Sequence, residues 1–551
     1  MAPAAQTITP AARVLVIGLD GATWTNLAPL AERGDMPTLR RLMQGGAWGN
    51  LDSTIPALTP PAWTSLVTGT NPGKHGIHHF RHTPPGDYYQ RRLNTSRDIQ
   101  SATLWQRLGA HGKQVGVINV PLCHPVYPVN GFMTSDAFAP EPGVTTYPPE
   151  LAAELKDYIV DVVNYPSALP GTARYEQQML AFIDENERVL LSQVDAAVRL
   201  MRSKPWQFFM IALMATDRLG HYCWKFSDPA SESSLTTEEQ KRIGTRCRAM
   251  YRQIDAQLAR LLDAIGPDCA LVVASDHGFG PAPAAFFHTN RWLLERGYLQ
   301  LLPVWHWKRL LHGYLPRSWK AKLRTPVDSK YGLVNWRDTK IWADPLESRA
   351  VAIHINRIDR YPEGIVAEPE CEALLATVVR ELTALKTPGG DKVFAEIHRG
   401  ATLFDGPHQE TAPDLVGILS KSFDVPASFR RDVRATELIV PNRHILRDGG
   451  HEPEGIFLLR GPNLRAAGRL PSQPIVAIAP TILEILGLPI ADDIDGEPIT
   501  AAFTEDFLRA HPPRRESEPV ATGAATSNQP EYSEEDSVKI EERLRKLGYL
   551  D

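Results

Sequence analysis

The sequence predicts an α/β protein built on an open sheet, and three strands carry the prediction. Arg13-Val-Leu-Val-Ile-Gly-Leu19 is a continuous apolar run that closes on Asp20-Gly21. Phe208-Phe-Met-Ile-Ala-Leu-Met214 repeats the arrangement and ends near Asp217, and Ala270-Leu-Val-Val-Ala-Ser275 ends at Asp276. Strands apolar on both faces are those covered by helices on either side. Open α/β sheets place their ligands beyond the carboxyl ends of the strands, where these three carboxylates fall.

The intervening elements fit that rhythm. Val115-Gly-Val-Ile-Asn-Val120 reads as another strand. Met36-Pro-Thr-Leu-Arg-Arg-Leu-Met43 reads as a helix, with a proline at its start and Gly45-Gly46 as its stop. Residues 174–202 and 237–265 carry apolar positions at helical spacing. The sheet domain is therefore expected over 10–284 and 431–505. Residues 285–430 break the pattern and are expected to form an inserted cap or substrate-facing subdomain. They contain Trp292, Trp305, Trp307, Trp319, Trp336 and Trp342, which are read as core-filling, because aromatics usually serve packing. A polar flexible linker is expected over 506–531. A C-terminal helix over 532–551 follows, whose apolar stripe of Ile540, Leu544 and Leu547 must dock on its own domain or on a partner subunit.

Composition narrows the function. With 43% apolar and 22% charged residues the chain is that of a soluble globular protein of more than one domain. A formal charge of −5 argues against a general binder of nucleic acid or anionic membrane, so no nucleic-acid partner is expected. Cys123, Cys223, Cys247, Cys269 and Cys371 are odd in number and lack the C-x-x-C spacing of thiolate zinc sites. The N-terminus shows no basic and apolar signal regions, and no run approaches the ~20 apolar residues of a spanning helix. A cytoplasmic protein without a membrane segment is the expectation.

The residues with chemistry lie in separated stretches: Asp20, Thr59, Asp217 with His221, Asp276 with His277, and Gly449-Gly450-His451. Taken singly each has an ordinary reading. An Asp after a strand is often a turn or helix cap. Asp217 and His221 stand one helical turn apart, which suits either a surface pair or two ligands of one ion. Thr59 precedes Pro60 and Pro61, which suit the first turn of a helix; it is either an N-cap or a hydroxyl at a phosphate-binding helix end. Together, carboxylates and imidazoles form a ligand set for Zn²⁺ or Mn²⁺, next to a hydroxyl that such ions would activate. Gly18-Leu-Asp20-Gly21 is not a dinucleotide fingerprint, because the third glycine is absent and an acid sits where pyrophosphate would bind.

These pieces resemble the alkaline phosphatase superfamily, and within it the type I phosphodiesterase/nucleotide pyrophosphatase branch. The resemblance rests on Asp20, Thr59-Pro-Pro, Thr68-Gly-Thr-Asn-Pro72-Gly-Lys-His75-Gly-Ile77, Asp217-x-x-x-His221, Asp276-His277-Gly and Gly-Gly-His451-x-Pro-Glu-Gly. It covers roughly residues 13–290 and 435–500. The segment Ile494–Pro498 and the tail also resemble bacterial proteins described as predicted phosphohydrolases/phosphomutases of that superfamily.

The resemblance implies an alkaline-phosphatase-like α/β/α sandwich with a central, mostly parallel sheet. It implies two divalent metals, zinc or manganese: Asp20, Thr59, Asp276 and His277 would surround one, and Asp217, His221 and His451 the other. Thr59 would be the nucleophile of a phosphodiesterase or pyrophosphatase working through a phospho-threonine, on a small-molecule phosphoester. A phosphomonoesterase or phosphotransferase with the same site is the alternative, and a non-catalytic binding protein on the same fold is the third. Ala62, three residues after Thr59, offers no side-chain donor to a phosphoryl oxygen, so Asn119 and Lys74 are the candidate substrate-binding residues. A homo-oligomer is compatible with all three.

Overall fold

Alternate residues of the first strand face two different cores. Leu15, Ile17 and Leu19 pack into one apolar cluster, whereas Val14 and Val16 pack into another. A strand buried on both faces is the middle layer of a sandwich, and the computed structural model shows one. It describes residues 9–302 and 331–547, except for 83, 85, 90, 91, 140–142, 163, 347, 348, 427, 443–445 and 518–531.

The three predicted strands are neighbours in a ten-stranded sheet, with Arg13–Leu19 between Phe208–Leu213 and Cys269–Ala274, parallel to both. Val115–Ile118 and Gly131–Thr134 extend the sheet in parallel on one side. On the other side Glu454–Arg460 pairs antiparallel with Cys269–Ala274 and with Ala47–Asp52. The sheet is thus mostly parallel, with helices on both faces. Against one face lie the helices Tyr175–Ser203, Ala215–Ser227 and Glu238–Leu262, and against the other Thr59–Thr68 and Ile478–Ile485. The helix expected at Met36 runs Pro37–Gln44, and Asp255 caps it from a neighbouring helix by accepting the Thr38 and Leu39 N–H groups at 2.9 and 2.8 Å.

The chain divides into two compact units. The sheet unit comprises Met1–Phe80, Asn94–Ala282 and His444–Leu547; the second comprises Arg81–Leu93, Pro283–Arg443 and Gly548–Asp551. The insertion is thus wider than the 285–430 of the sequence reading, and it takes in the stretch Arg81–Leu93. Within it a four-stranded antiparallel sheet (Ile341–Pro345, Ala350–Ile355, Leu415–Leu419, Phe394–Arg399) packs with the helix Glu368–Ala384. Trp292, Trp336 and Trp342 are buried in its core, as expected of packing residues; Trp305, Trp307 and Trp319 lie outside the described residues. Tyr88 anchors the added stretch, its ring stacked between Trp336 at 3.9 Å and Tyr361 at 5.0 Å.

The linker reading needs correction at its start. Glu505–Ala510 is a helix and Arg515–Glu516 pairs with Ile490–Ala491, while residues 518–531 lie outside the described residues. The C-terminal helix runs Glu534–Leu547, with Ile540 and Leu544 buried, and it belongs to the sheet unit. Arg543 donates to the Ala137 carbonyl at 2.6 Å, and Tyr532 stacks on His124 at 5.1 Å. Its docking surface is its own domain. Among the described residues no helix is long and apolar enough to cross a membrane.

Candidate active site

All seven singled-out residues are buried in the sheet unit. They form two clusters, each bringing its ligand atoms within 4.8 Å of one another: Asp20, Asp276 and His277 in one, Asp217, His221 and His451 in the other. The first is built by sheet register. Gly18 and Ala274 are paired in adjacent parallel strands, so Asp20 and Asp276 emerge side by side at the carboxyl edge. The His277 Nε2 lies 3.3 Å from Asp276 Oδ2 and 3.7 Å from Asp20 Oδ1. The second cluster combines the helix Ala215–Ser227 with the short strand Gly449–Glu452, which pairs antiparallel with Gly278–Pro281. Asp217 Oδ1 is 3.5 Å from both His221 Nε2 and His451 Nε2, and those two nitrogens are 3.2 Å apart. The clusters adjoin: the His277 and His451 rings stack at 3.7 Å.

Glycine makes that assembly possible. A Cβ on Gly449 would fall 2.0 Å from the Gly220 carbonyl oxygen, so only glycine lets the His451 strand approach the Asp217 helix this closely. A Cβ on Gly18 would strike the Trp63 ring at 2.4 Å, and that ring donates its Nε1–H to Asp20 Oδ2 at 2.8 Å.

Thr59 sits beside the first cluster, its Oγ1 3.4 Å from His277 Nε2. It is the first residue of the helix Thr59–Thr68, with Leu58 at the cap position and no side-chain capping bond, so the N-cap reading of Thr59 falls away. The free helix end is smaller than expected. Pro60 and Pro61 carry no N–H, and the Ala62 N–H is bonded to the Leu58 carbonyl at 3.0 Å. Ala62 itself packs in the apolar core with Trp63 and Leu66.

Both expected substrate donors have protein partners. The Lys74 ammonium bonds the Asp495 carboxylate, and the Asp493 carbonyl at 3.1 Å. Asn119 is buried at the end of its strand with φ +56°, and its amide donates to the Ala212 carbonyl at 2.9 Å. The Thr68–Ile77 motif is architectural. Asn71 donates both its backbone and side-chain N–H to Asp495, at 2.8 and 3.0 Å, and His75 joins Ser65 Oγ to the Ile77 N–H.

Among the described residues Asp20 Oδ1 and Asp276 Oδ2 find no hydrogen-bond partner, and such atoms are rare inside proteins unless an ion or catalysis accounts for them. Burial, reinforced by their neighbouring carboxylates, pushes both pKa values well above the ordinary range. Burial alone would raise Asp217 too, but the facing His221 and His451 rings and the Arg218 guanidinium outweigh it and hold it well below. Burial lowers His221 and His277, keeping both imidazoles neutral, the form that binds a cation. The residues present fit two divalent ions of nitrogen and oxygen preference.

The family model for type I phosphodiesterase/nucleotide pyrophosphatase matches residues 14–436. The chain belongs to this family. It is a phosphoester hydrolase family of the alkaline phosphatase superfamily, and the match contains six of the seven residues; His451 lies beyond it and joins them through the geometry alone. No curated protein matches the sequence. Among solved structures, phosphonoacetate hydrolase from Sinorhizobium meliloti 1021 is similar in fold. Its complex with phosphonoacetate shares 17% identity over 84% of this chain and 91% of that one, with a TM-score of 0.52. Its complex with phosphonoformate covers the same shares at a TM-score of 0.50. Human ectonucleotide pyrophosphatase/phosphodiesterase 5 matches at 14% identity over 86% of this chain and 95% of that one, with a TM-score of 0.47.

Sequence reasoning missed the residues that support this phosphodiesterase-family site. Trp63 and Arg218 each hold a carboxylate of the clusters, and Phe279 packs edge-on against His221 and His451. Asp448 accepts the Trp224 N–H at 2.8 Å where the Asp217 helix kinks at Cys223. Only the spacing of Asp448 from His451 could have drawn attention to any of these.

Proposed function

We propose that the chain is a two-metal-dependent phosphodiesterase or pyrophosphatase-like hydrolase that works through a phospho-threonine on Thr59. The observation that carries the reading is the pair of adjoining buried clusters with orphaned carboxylate oxygens, beside the Thr59 hydroxyl. Asp20, Asp276, His277 and Thr59 would hold one ion, and Asp217, His221 and His451 the other. Zinc suits this donor set best, and manganese is the alternative ion. When bound, the ions would lower the pKa of the hydroxyl, neutralise phosphoryl oxygens and activate water. The Thr59 oxygen forms a bond to phosphorus in line with the departing alkoxide or phosphate, and water then cleaves the phosphothreonine. The helix beginning at Thr59 fixes the nucleophile, beside the stacked His277 and His451 rings.

The substrate in this reading is a small-molecule phosphoester. Five free, buried cysteines suit a reducing compartment, which supports a cytoplasmic enzyme. The full chain loaded with Zn²⁺ or Mn²⁺ is expected to hydrolyse bis(p-nitrophenyl) phosphate faster than p-nitrophenyl phosphate. Thr59→Ala is expected to abolish both activities while metal uptake persists. Full activity in that variant would sink the nucleophile, and faster monoester turnover would reverse the substrate class.

A further inference from the structure

Each of the three clustered carboxylates has one oxygen held by a fixed donor, but the donors differ in charge. Asp20 takes the Trp63 indole N–H and Asp276 takes the Gly21 backbone N–H at 3.1 Å, both neutral. Asp217 Oδ2 instead takes Nη1 of Arg218 at 2.6 Å. A guanidinium fixes a carboxylate more firmly than a neutral donor does, but its charge also opposes a cation bound on the other oxygen. The chain resolves this conflict with a third charge. Arg218 Nη2 and Nε meet Asp161 Oδ2 and Oδ1 at 2.6 and 3.3 Å, and the Arg218 and Asp161 side chains are 1% and 2% exposed.

We propose that Arg218 is a positioning residue for the Asp217–His221–His451 cluster and that Asp161 is its charge-balancing partner. Together they form a neutral, buried unit that pins Asp217 Oδ2, leaving Oδ1 to face the two imidazoles at 3.5 Å. This rests on the two-metal reading above. The same logic assigns distinct roles to the partners. Removing Arg218 frees Asp217 to turn and leaves Asp161 buried without its cation. Removing the Asp161 charge keeps the contact to Asp217 but leaves the guanidinium opposing the ion. Substituting both removes either conflict and leaves only the loss of positioning.

The test uses the full chain, stripped with chelator and titrated with Zn²⁺ or Co²⁺, with the Co²⁺ absorption spectrum as a report on ligand geometry. Wild type is expected to take up two ions. Arg218→Met and Asp161→Asn should each weaken one of the two sites by about 10–100-fold, the scale set by supporting residues, and leave the other unchanged. Arg218→Lys keeps the charge but not the fork and should restore affinity only in part. The double variant Arg218→Met/Asp161→Asn should lose less than the two single losses combined. Circular dichroism verifies folding of each variant, and Asp161→Asn, a near-isosteric change, serves if Arg218→Met fails to fold. A wild-type chain binding fewer than two ions overturns the two-metal reading and this one with it. Wild-type uptake of two ions, with unchanged affinities and Co²⁺ spectrum in the folded variants, overturns this inference alone.

Discussion

The two clusters hold similar side chains by different means. Asp20, Asp276 and His277 stand just beyond the ends of adjacent parallel strands of one sheet, so strand register brings them together, and neutral N–H donors hold the two carboxylates. Asp217, His221 and His451 come from a kinked helix and a two-stranded ribbon, and side-chain contacts must hold them together. The electrostatics differ in parallel. The strand-borne cluster confines two carboxylates whose pKa values are raised, whereas the helix-borne one has a single carboxylate whose pKa is lowered. The strand ends bring together two carboxyl groups that burial favours in the protonated form and that neutral donors hold, while the ionised Asp217 is framed by the Arg218–Asp161 pair.

Substituting a carboxylate of the strand-borne cluster should have the largest effect. Asp276→Asn keeps an acceptor for the Gly21 N–H but removes a ligand charge, so turnover should fall by more than the about 10–100-fold expected of a supporting residue. The metal-free protein should gain stability from the same change above the ordinary carboxylate range, because the folded chain no longer has to keep a buried carboxyl protonated that the unfolded chain ionises. Steady-state rates and thermal unfolding in chelator measure the two. An Asp276→Asn protein that is less stable without metal would mean that the burial of this carboxyl is already compensated.

The pH dependence of the metal-free protein separates the clusters next. Asp20 and Asp276 hold protons in the folded state above the ordinary carboxylate pKa of 3.8, where the unfolded chain has released them. The folded state binds more protons there, so their contribution to stability is greatest in acid and is lost as pH rises through their raised values. Asp217 acts oppositely: its contribution is present above 3.8 and is lost as pH falls through its lowered value. Denaturant unfolding in chelator should therefore show stability falling with rising pH above the ordinary carboxylate range, a slope reduced in Asp276→Asn. Metal uptake at the strand-borne cluster should release protons, seen as buffer-dependent heat in calorimetry.

Trp63→Phe is the next smaller perturbation. It removes the indole N–H from Asp20 Oδ2 but keeps most of the ring that fills the space over Gly18. Affinity of the strand-borne cluster should fall by about 10–100-fold while the other cluster is unaffected. Metal titration of the variant checks both halves of that statement. Equal weakening of both sites would show that the clusters are coupled rather than independently held.

Sequence legibility follows the same division. Asp20, Asp217 and Asp276 could be read because each closes an apolar run, and strand ends in an open sheet have a known meaning. His221 and His277 followed from spacing to those acids. The order of strands, the antiparallel insertion of Glu454–Arg460, and the assignment of Arg81–Leu93 to the second unit depend on contacts between distant stretches, and no local pattern encodes them. Asp161 and Arg218 meet across 57 residues, and an Arg beside an Asp in a helix reads as ordinary surface charge. Lys74 shows the same limit: a cation near Thr59 in sequence pairs with Asp495, 421 residues away, and no local pattern encodes that contact.

The smallest expected effect concerns the clamp on the helix-borne cluster. Asp448 Oδ1 accepts the Trp224 N–H at the kink in the Asp217 helix, and its own carbonyl accepts the Ala282 N–H at 2.9 Å. The residue thus ties the Asp217 helix and the segment after Phe279 to the strand that carries His451. Burial pushes its carboxyl up to about 6, so the acceptor matters here more than the charge. Asp448→Ala would leave the Trp224 N–H buried without that acceptor, a loss of about 1–3 kcal/mol. Asp448→Asn keeps the acceptor and should stabilise more at pH 8, where the folded carboxylate must ionise against its burial, than at pH 5, where only the unfolded chain has released the proton. Urea unfolding of the three proteins at the two pH values checks this, and equal losses in Ala and Asn would show that the charge, not the hydrogen bond, holds the kink. Because Asp448 acts on the helix that carries Asp217, the metal affinity of the strand-borne cluster should stay at the wild-type value in both variants.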